Sequence, residues 1–487
     1  MNTIQLHSSK VLLGILLLLL STSCSDFLEE DPENLVATSN YYTTEQDAIA
    51  AVNSIYAYLG SYDASRGNTA GVYHSTFWIT QGLASDEMLN NQLGTPQYDQ
   101  LATFSYNADN AALLEIWQIH YKTIYLANVA IDRIPSIDMD PAVQNRLINE
   151  AKFLRGLLYF NMVRMFGEIP LVISEDAPLN PEAASVSAIY DQIIADLTAA
   201  ESLPADGEIQ QGRATTGAAK GILAKVYLRM GEFQLAADKA KEVIDSGQYD
   251  LWDDFSEAFE ISSRGGKEAV FSVGFGDGGG AISFWEVGQF NVRLLPTELS
   301  REVDGVSNTQ GWQIALPDLY DSYEDIDERK EATFMTNFMA SDGTTVNLDK
   351  IYIDKYWDRE ADPTAGGSFN DFPVLRYSDV LLVYAEAQAS LNNFSEANEY
   401  LNMVRERAGL DDVDVSDMGG FIDVLLNERR REFVAEGMRW FDLTRLGSLE
   451  EAVQEAKNIN VGSEYYLFPI PQRERDVNPN LPQNQGF

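Results

Sequence analysis

Once an amino-terminal leader carrying His7 is set aside, the chain holds two histidines, His74 and His120, and one cysteine, Cys24. Nucleophilic triads need a base beside a nucleophile, and zinc sites need Cys/His sets at short spacing. Neither can be built from this stock, and no HExxH run occurs. His120 sits beside Trp117 and Tyr121 on an amphipathic stretch, which makes it a core residue. Glycoside hydrolysis survives that test, because it needs only two carboxyl groups at a set separation. With 75 Asp+Glu some pair always qualifies, so the pattern names no site. Gly274, Gly276 and Gly279 match a dinucleotide fingerprint in spacing, but AISFWEVGQF after them is no capped helix to receive a pyrophosphate, and the run reads as a loop. Asp412, Asp414 and Ser416 approach a calcium loop, yet Asp417 stands where glycine is required, so an acidic helix-entry loop is the reading. No cofactor is implied; a structural calcium elsewhere on the surface stays open.

Aromatic side chains are what the chain has in quantity: 7 Trp, 23 Tyr and 23 Phe. A pyranose has apolar C–H faces and a rim of hydroxyls. Flat rings give it a desolvated platform while Asn, Asp, Gln or Arg read the rim. The candidate ligand-binding residues are therefore Trp78 with Asp86 and Asn91 downstream, Tyr98 beside Asp99 and Gln100, Trp285, and Trp312 beside Gln313, with Trp357 a further loop ring. Each ring taken singly is also explained by packing under a loop.

The elements that must position these residues are mainly helices. Leu114, Trp117, Tyr121, Ile124, Asn128 and Ile131 recur three or four apart over 111–134, and 141–166 is a second amphipathic helix ended by Gly167. Further helices are predicted over 186–200, 216–230, 233–246, 379–391, 395–407 and 421–446. Leu223, Ala224, Tyr227, Gly231, Ala236, Ala240 and Val243 follow tetratricopeptide spacing; Ala385, Asn392, Ala397, Leu401 and Val404 repeat it, with Asn392 in place of the turn glycine. The scaffold thus covers about 35–60, 111–249 and 371–460. Two variable stretches, about 61–110 and 250–370, read as loops with short strands near 268–273 and 347–355. Binding residues sit on loops held by a rigid scaffold. The Pro/Asn-rich end from Leu467 reads as irregular surface wrapping.

Lys10, the apolar run Val11–Leu20 and small residues before Cys24 form an export signal over 1–23, too short to span a bilayer. A lone cysteine at that point fits a lipid-attachment site, followed by an acidic tether over 24–34 and a single domain over 35–487. A formal net charge of −41, with no basic stripe, excludes nucleic-acid binding.

Ordered motifs along nearly the whole chain resemble the SusD/RagB family of nutrient-binding outer-membrane lipoproteins. They are Cys24-Ser-Asp-Phe-Leu28, Trp117 with Tyr121, Ile124 and Asn128, Glu150 through Arg155 to Tyr159 and Phe160, Phe166-Gly-x-Ile-Pro170, Arg213-Ala-Thr, Arg376-Tyr-Ser-Asp379, Asn427 to Glu432, Glu436-Gly-x-Arg439-Trp440-x-Asp442-Leu-x-Arg445 and Leu467-x-Pro469-Ile-Pro471. The resemblance implies a mostly α fold with tetratricopeptide-like helix pairs and an irregular loop and short-strand region. It implies a non-catalytic protein at the extracellular face of the outer membrane, lipid-anchored through Cys24, that binds a glycan and passes it to a SusC-like TonB-dependent transporter. It also places ligand aromatics in 86–104 and about 284–320, with Tyr98 where starch-binding members carry a sugar-stacking Trp. Peptide capture, as in the RagB branch, a carbohydrate-acting enzyme and an assembly scaffold are the competing readings.

Overall fold

The computed structural model describes residues 42–60, 70–276, 287–359 and 367–487. Cys24, the leader and tether, and Trp285 lie outside them. Residues Thr44–Phe487 form one compact unit. Among the described residues no helix is long and apolar enough to cross a membrane.

The helical side starts with α1 (Glu45–Gly60); after α2 (Thr76–Leu83) and α3 (Pro96–Ala102) come the long α4 (Ala111–Arg133) and α5 (Pro141–Phe166). Local chemistry sets their ends. The Asn110 side chain accepts hydrogen bonds from the Ala112 and Leu113 amides, and Asp140 does the same for Ala142 and Val143 ahead of Pro141. Gly167, at φ +72°, stops α5. The bundle continues as α6 (Val186–Ala200), α7 (Thr216–Met230) and α8 (Phe233–Asp245). After the irregular region it resumes with α9 (Tyr377–Ser390), α10 (Phe394–Arg407) and α11 (Met418–Glu432). From α4 to α8 each helix packs on the next, α9 packs on α10, and α8 packs across onto α9, so the two tetratricopeptide-like pairs meet despite their separation in sequence. Their small residues Ala236, Ala240, Ala385 and Ala397 are fully buried, which lets the helices approach closely. Gly231 and Asn392 both turn the chain in the left-handed region, at φ +79° and +64°, so asparagine does serve there for glycine.

Three sequence expectations are corrected. The stretch 61–110 is not only loop: α2, α3 and a short strand β1 (Met88–Asn90) are built into it. The single helix expected over 421–446 is two, α11 and α12 (Arg439–Leu446), because Ala435 and Gly437 take positive φ between them. The carboxyl-terminal segment is not mere wrapping: Phe468 and Ile470 are sealed in the core and Gln472–Val477 is helical.

The variable half is a set of two-stranded antiparallel ladders. β2 (Ala269–Val273) pairs with β6 (Phe372–Arg376), and β4 (Phe334–Met339) forms a hairpin with β5 (Thr345–Ile353). β3 (Gln313–Ala315) pairs with β1, more than two hundred residues earlier. A small core of Leu295, Leu299, Ile314, Met335, Phe338 and Tyr352 lies beneath. Buried arginines clamp this half to the bundle. Arg329 meets Asp327 at 2.9 Å and Glu432 at 3.0 Å; Arg376 meets Glu432 at 2.8 Å and Glu436 at 2.9 Å; Lys355 reaches Glu436 at 2.7 Å. Every charge in the set has an opposite neighbour, which buried ions require.

Candidate functional site

The β1–β3 ladder brings together residues the sequence holds far apart. Its register sets Met88 opposite Ala315, Leu89 opposite Ile314 and Asn90 opposite Gln313. One step beyond, the Asn91 amide donates to the Trp312 carbonyl at 2.7 Å and its side chain donates to the Gly311 carbonyl at 2.8 Å. Lys350, on β5, donates to the Asn91 side-chain oxygen at 2.8 Å. The Asn90 amide group donates to Asp99 at 2.6 Å and to the Gln92 carbonyl at 3.1 Å, so the turn at Leu93-Gly94 is folded back onto α3, which carries Tyr98.

Tyr98 and Trp312 then share one cation. The Arg293 guanidinium lies 5.7 Å from the Tyr98 ring centre and 5.2 Å from that of Trp312, within cation–π range of both. Its Nε and Nη1 and the Gln313 side-chain oxygen are buried without a hydrogen-bond partner. The part-exposed Asn90, Asn91 and Lys350 and the exposed Asp99 beside the Trp312 face suit a ligand that offers hydroxyls at its rim and C–H groups on its faces. Trp312 is half-buried while Tyr98 is only 6% exposed, so Trp312 is the accessible ring and Tyr98 backs the guanidinium. Arg293 also acts on two buried titratable neighbours. Burial raises the Glu115 carboxyl, opposed by a Thr76 hydroxyl donating at 2.6 Å and by Arg293. Burial and then Arg293 push the His74 imidazole down to about 3, so it stays neutral.

Two expected site residues belong to the scaffold instead. Trp78 is fully buried in α2, a helix with no exposed face, where it stacks on Phe290 at 5.5 Å and lies against Gly437. A Phe-Trp-Ile run with buried neighbours on every side leaves it no route to solute. Asp86 is sealed by Arg439, which grips both oxygens at 2.8 Å, and by Arg430 at 3.0 Å. Burial pushes its carboxyl up, but Arg439 and then Arg430 outweigh that and hold it at about 2. Asn91, Tyr98 and Trp312 do come together; Trp285 is outside the described residues. Trp357 is capped by Arg359, whose guanidinium lies 3.6 Å from its ring centre.

Arg293 and Lys350 were missed by residue type and spacing. Arg293 sits in a five-residue helix, Phe290–Leu294, that carries no periodicity. Lys350 did leave a signal: it shares a strand face with Val346, Leu348 and Tyr352, which face the small core, so a lysine there has to reach past it to a polar partner. Among the described residues no group of three or more His, Cys, Asp or Glu could hold a metal ion. In the acidic loop weighed for calcium, Val413 and Val415 are instead stitched to the Asn402 and Asn398 side chains.

The comparisons with known proteins agree with this architecture. The family model described as SusD family matches residues 320–487, and one described as starch-binding associating with outer membrane matches residues 26–228. SusD-like protein P2 of Formosa agariphila is 28% identical over 97% of this chain and 98% of its own. A SusD-like protein of Bacteroides ovatus is 28% identical over 89% of this chain and 82% of its own. Among solved structures, a laminarin-binding SusD-like protein superposes with a TM-score of 0.77 at 27% identity, covering 92% of this chain and all of that one. With two models of one family system matched in order along the chain and relatives aligned almost end to end, the chain belongs to the SusD/RagB family of outer-membrane nutrient-binding proteins.

Proposed function

We propose that this chain captures an oligosaccharide at the Tyr98–Arg293–Trp312 cleft, outside the cell, and passes it to a SusC-like TonB-dependent transporter, held to the outer membrane by a lipid on Cys24. The observation that carries the reading is the pairing of β1 with β3. It sets an accessible indole beside a guanidinium, in a rim of Asn90, Asn91, Asp99 and Lys350. That combination suits a pyranose: the indole takes the C–H face, while the asparagines, Asp99 and Lys350 take hydroxyls. A family relative of similar fold that binds laminarin supports the ligand class.

Calorimetric titration of the purified chain with a panel of neutral oligosaccharides tests capture. At least one is expected to bind saturably without product, and Trp312→Ala is expected to weaken it at least tenfold, about 1.4 kcal/mol, with the melting temperature nearly unchanged. Unaltered affinity in that variant would move the site elsewhere, and turnover would make the protein an enzyme. Co-purification with a TonB-dependent transporter from native membranes tests delivery.

A further inference from the structure

We infer that the chain has a second binding site, for a small oxyanion of carboxylate or sulfate type, in a cationic cleft between α5, α7, α9, α11 and α12. The cleft is small, about 40 Å³ in volume, and Arg164, Lys225, Arg229, Arg429 and Arg445 line it, with Asp442 the only acid among the lining residues. It shares no residue with the Tyr98–Trp312 cleft and does not depend on the reading of that one.

The positive charge is not answered from within. Arg429 is matched by Asp379 at 2.7 Å and Asp442 at 2.8 Å; Lys225 is paired with Asp379; Arg445 is paired with Glu386. Three carboxylates therefore serve five cations, and two guanidiniums are left over. Arg164 donates to the Asn161 side chain at 2.8 Å and to the Phe160 carbonyl at 3.0 Å, and Arg229 has the Tyr190 hydroxyl. Among the described residues neither has a carboxylate within ion-pair distance. In a chain of net charge −41 acids are plentiful, so two unmatched arginines facing one cleft mark a place kept for a negative group that the fold itself does not supply.

The geometry is that of a receptor more than of a solvated surface. Arg164 is clamped between the Phe160 and Phe441 rings, its guanidinium carbon 3.9 Å from each ring centre, so its plane is fixed before any anion arrives. Planar guanidinium forks present paired N–H donors to two oxygens of one anion. Burial lowers Arg164 to about 10, with Arg229 adding to the effect against the pull of Tyr190, Tyr73 and Asp442, and burial likewise lowers Arg229.

The test titrates the purified chain with sodium sulfate and, separately, sodium acetate, against sodium chloride at matched ionic strength, following melting temperature and calorimetric heat. Saturable stabilisation by at least one oxyanion beyond the chloride control is expected, and Arg164→Gln and Arg229→Gln should each weaken it tenfold or more. Trp312→Ala should bind the same anion as the parent does. Circular dichroism checks that the variants fold. If loss of the clamped Arg164 disturbs the helices, Arg229→Gln decides alone, since Arg229 gives up no ion pair. Equal effects of chloride and both oxyanions, no saturation, or variants that bind as the parent does would each overturn the inference.

Discussion

At the scale of single residues, a buried polar group needs a partner, and Glu87 shows what happens where pairing fails. It follows Asp86, is 1% exposed, and neither of its oxygens has a hydrogen-bond partner. Burial and then the Asp86 carboxylate raise its carboxyl from 4.5 to about 8, against the pull of Arg439, Lys355 and Arg430. A carboxyl whose folded value is raised favours the folded state most when both states carry the proton. That contribution is complete below pH 4.5 and is lost as pH climbs toward 8. Glu87→Gln keeps the shape and removes the titration. Its melting temperature should match the parent near pH 4.5, exceed it by several degrees at pH 8, and keep that margin above. Lys457, lowered to about 7 by burial against the pull of Asp86 and Glu87, titrates in the same range, so the margin reports Glu87 together with the charge it supports on Lys457. A margin that does not grow with pH would show that Glu87 is ionised in the fold.

At the scale of elements, the break between α11 and α12 does more positioning than either helix. Over Phe433–Met438 the chain reverses its facing so that Glu436 points to Arg376 and Lys355 while Arg439 points to Asp86. Two positive φ values make the turn: Ala435 at +61° carries the strain of a side chain, and Gly437 at +68° has no room for one. A Cβ at Gly437 would lie 3.0 Å from the Trp78 Cα. Gly437→Ala should therefore cost about 2–4 kcal/mol, from left-handed strain plus a backbone clash. Denaturant midpoints measure it, and a variant as stable as the parent would mean that α2 is not pinned under this turn. This break was not legible in sequence, because FVAEGM contains good helix formers and the periodicity runs on either side of it. The tetratricopeptide-like pairs were legible, since their small and aromatic residues recur at local spacings that survive any context. The cleft was legible only in part. Trp312 and Tyr98 announce themselves by type, but the β1–β3 pairing that unites them is long-range and leaves no local trace. Trp78 looks the same as a site ring until its helix is seen to be buried all round.

At the scale of the whole molecule, the interior takes cations and acids together in pairs and leaves the surplus of acids outside. Arg155, Arg329, Arg376, Arg407, Arg429 and Arg439 are all buried beside carboxylates, so the surface carries most of the excess negative charge. Such a shell repels itself and gives no net cohesion, which leaves the fold dependent on how early and late parts of the chain lock together. The carboxyl-terminal segment is that lock. Phe468 stacks on Trp440 of α12 at 4.3 Å while its amide donates to the Met165 carbonyl at 2.8 Å, near the end of α5. Asn484 donates to the Phe166 and Phe468 carbonyls at 3.0 and 2.7 Å, and Phe487 stacks on Tyr106 at 5.8 Å. One segment thus joins the first long helices, the loop before them and the last helical turn of the bundle. Phe468→Ala opens a cavity at that junction and should lower stability by about 3–5 kcal/mol. Because the junction spans early and late elements, the loss should appear as an earlier but still single unfolding transition, by tryptophan fluorescence and far-ultraviolet dichroism alike. Two separated transitions in the variant would show instead that the amino-terminal and carboxyl-terminal helices hold together independently, with the segment only resting across them.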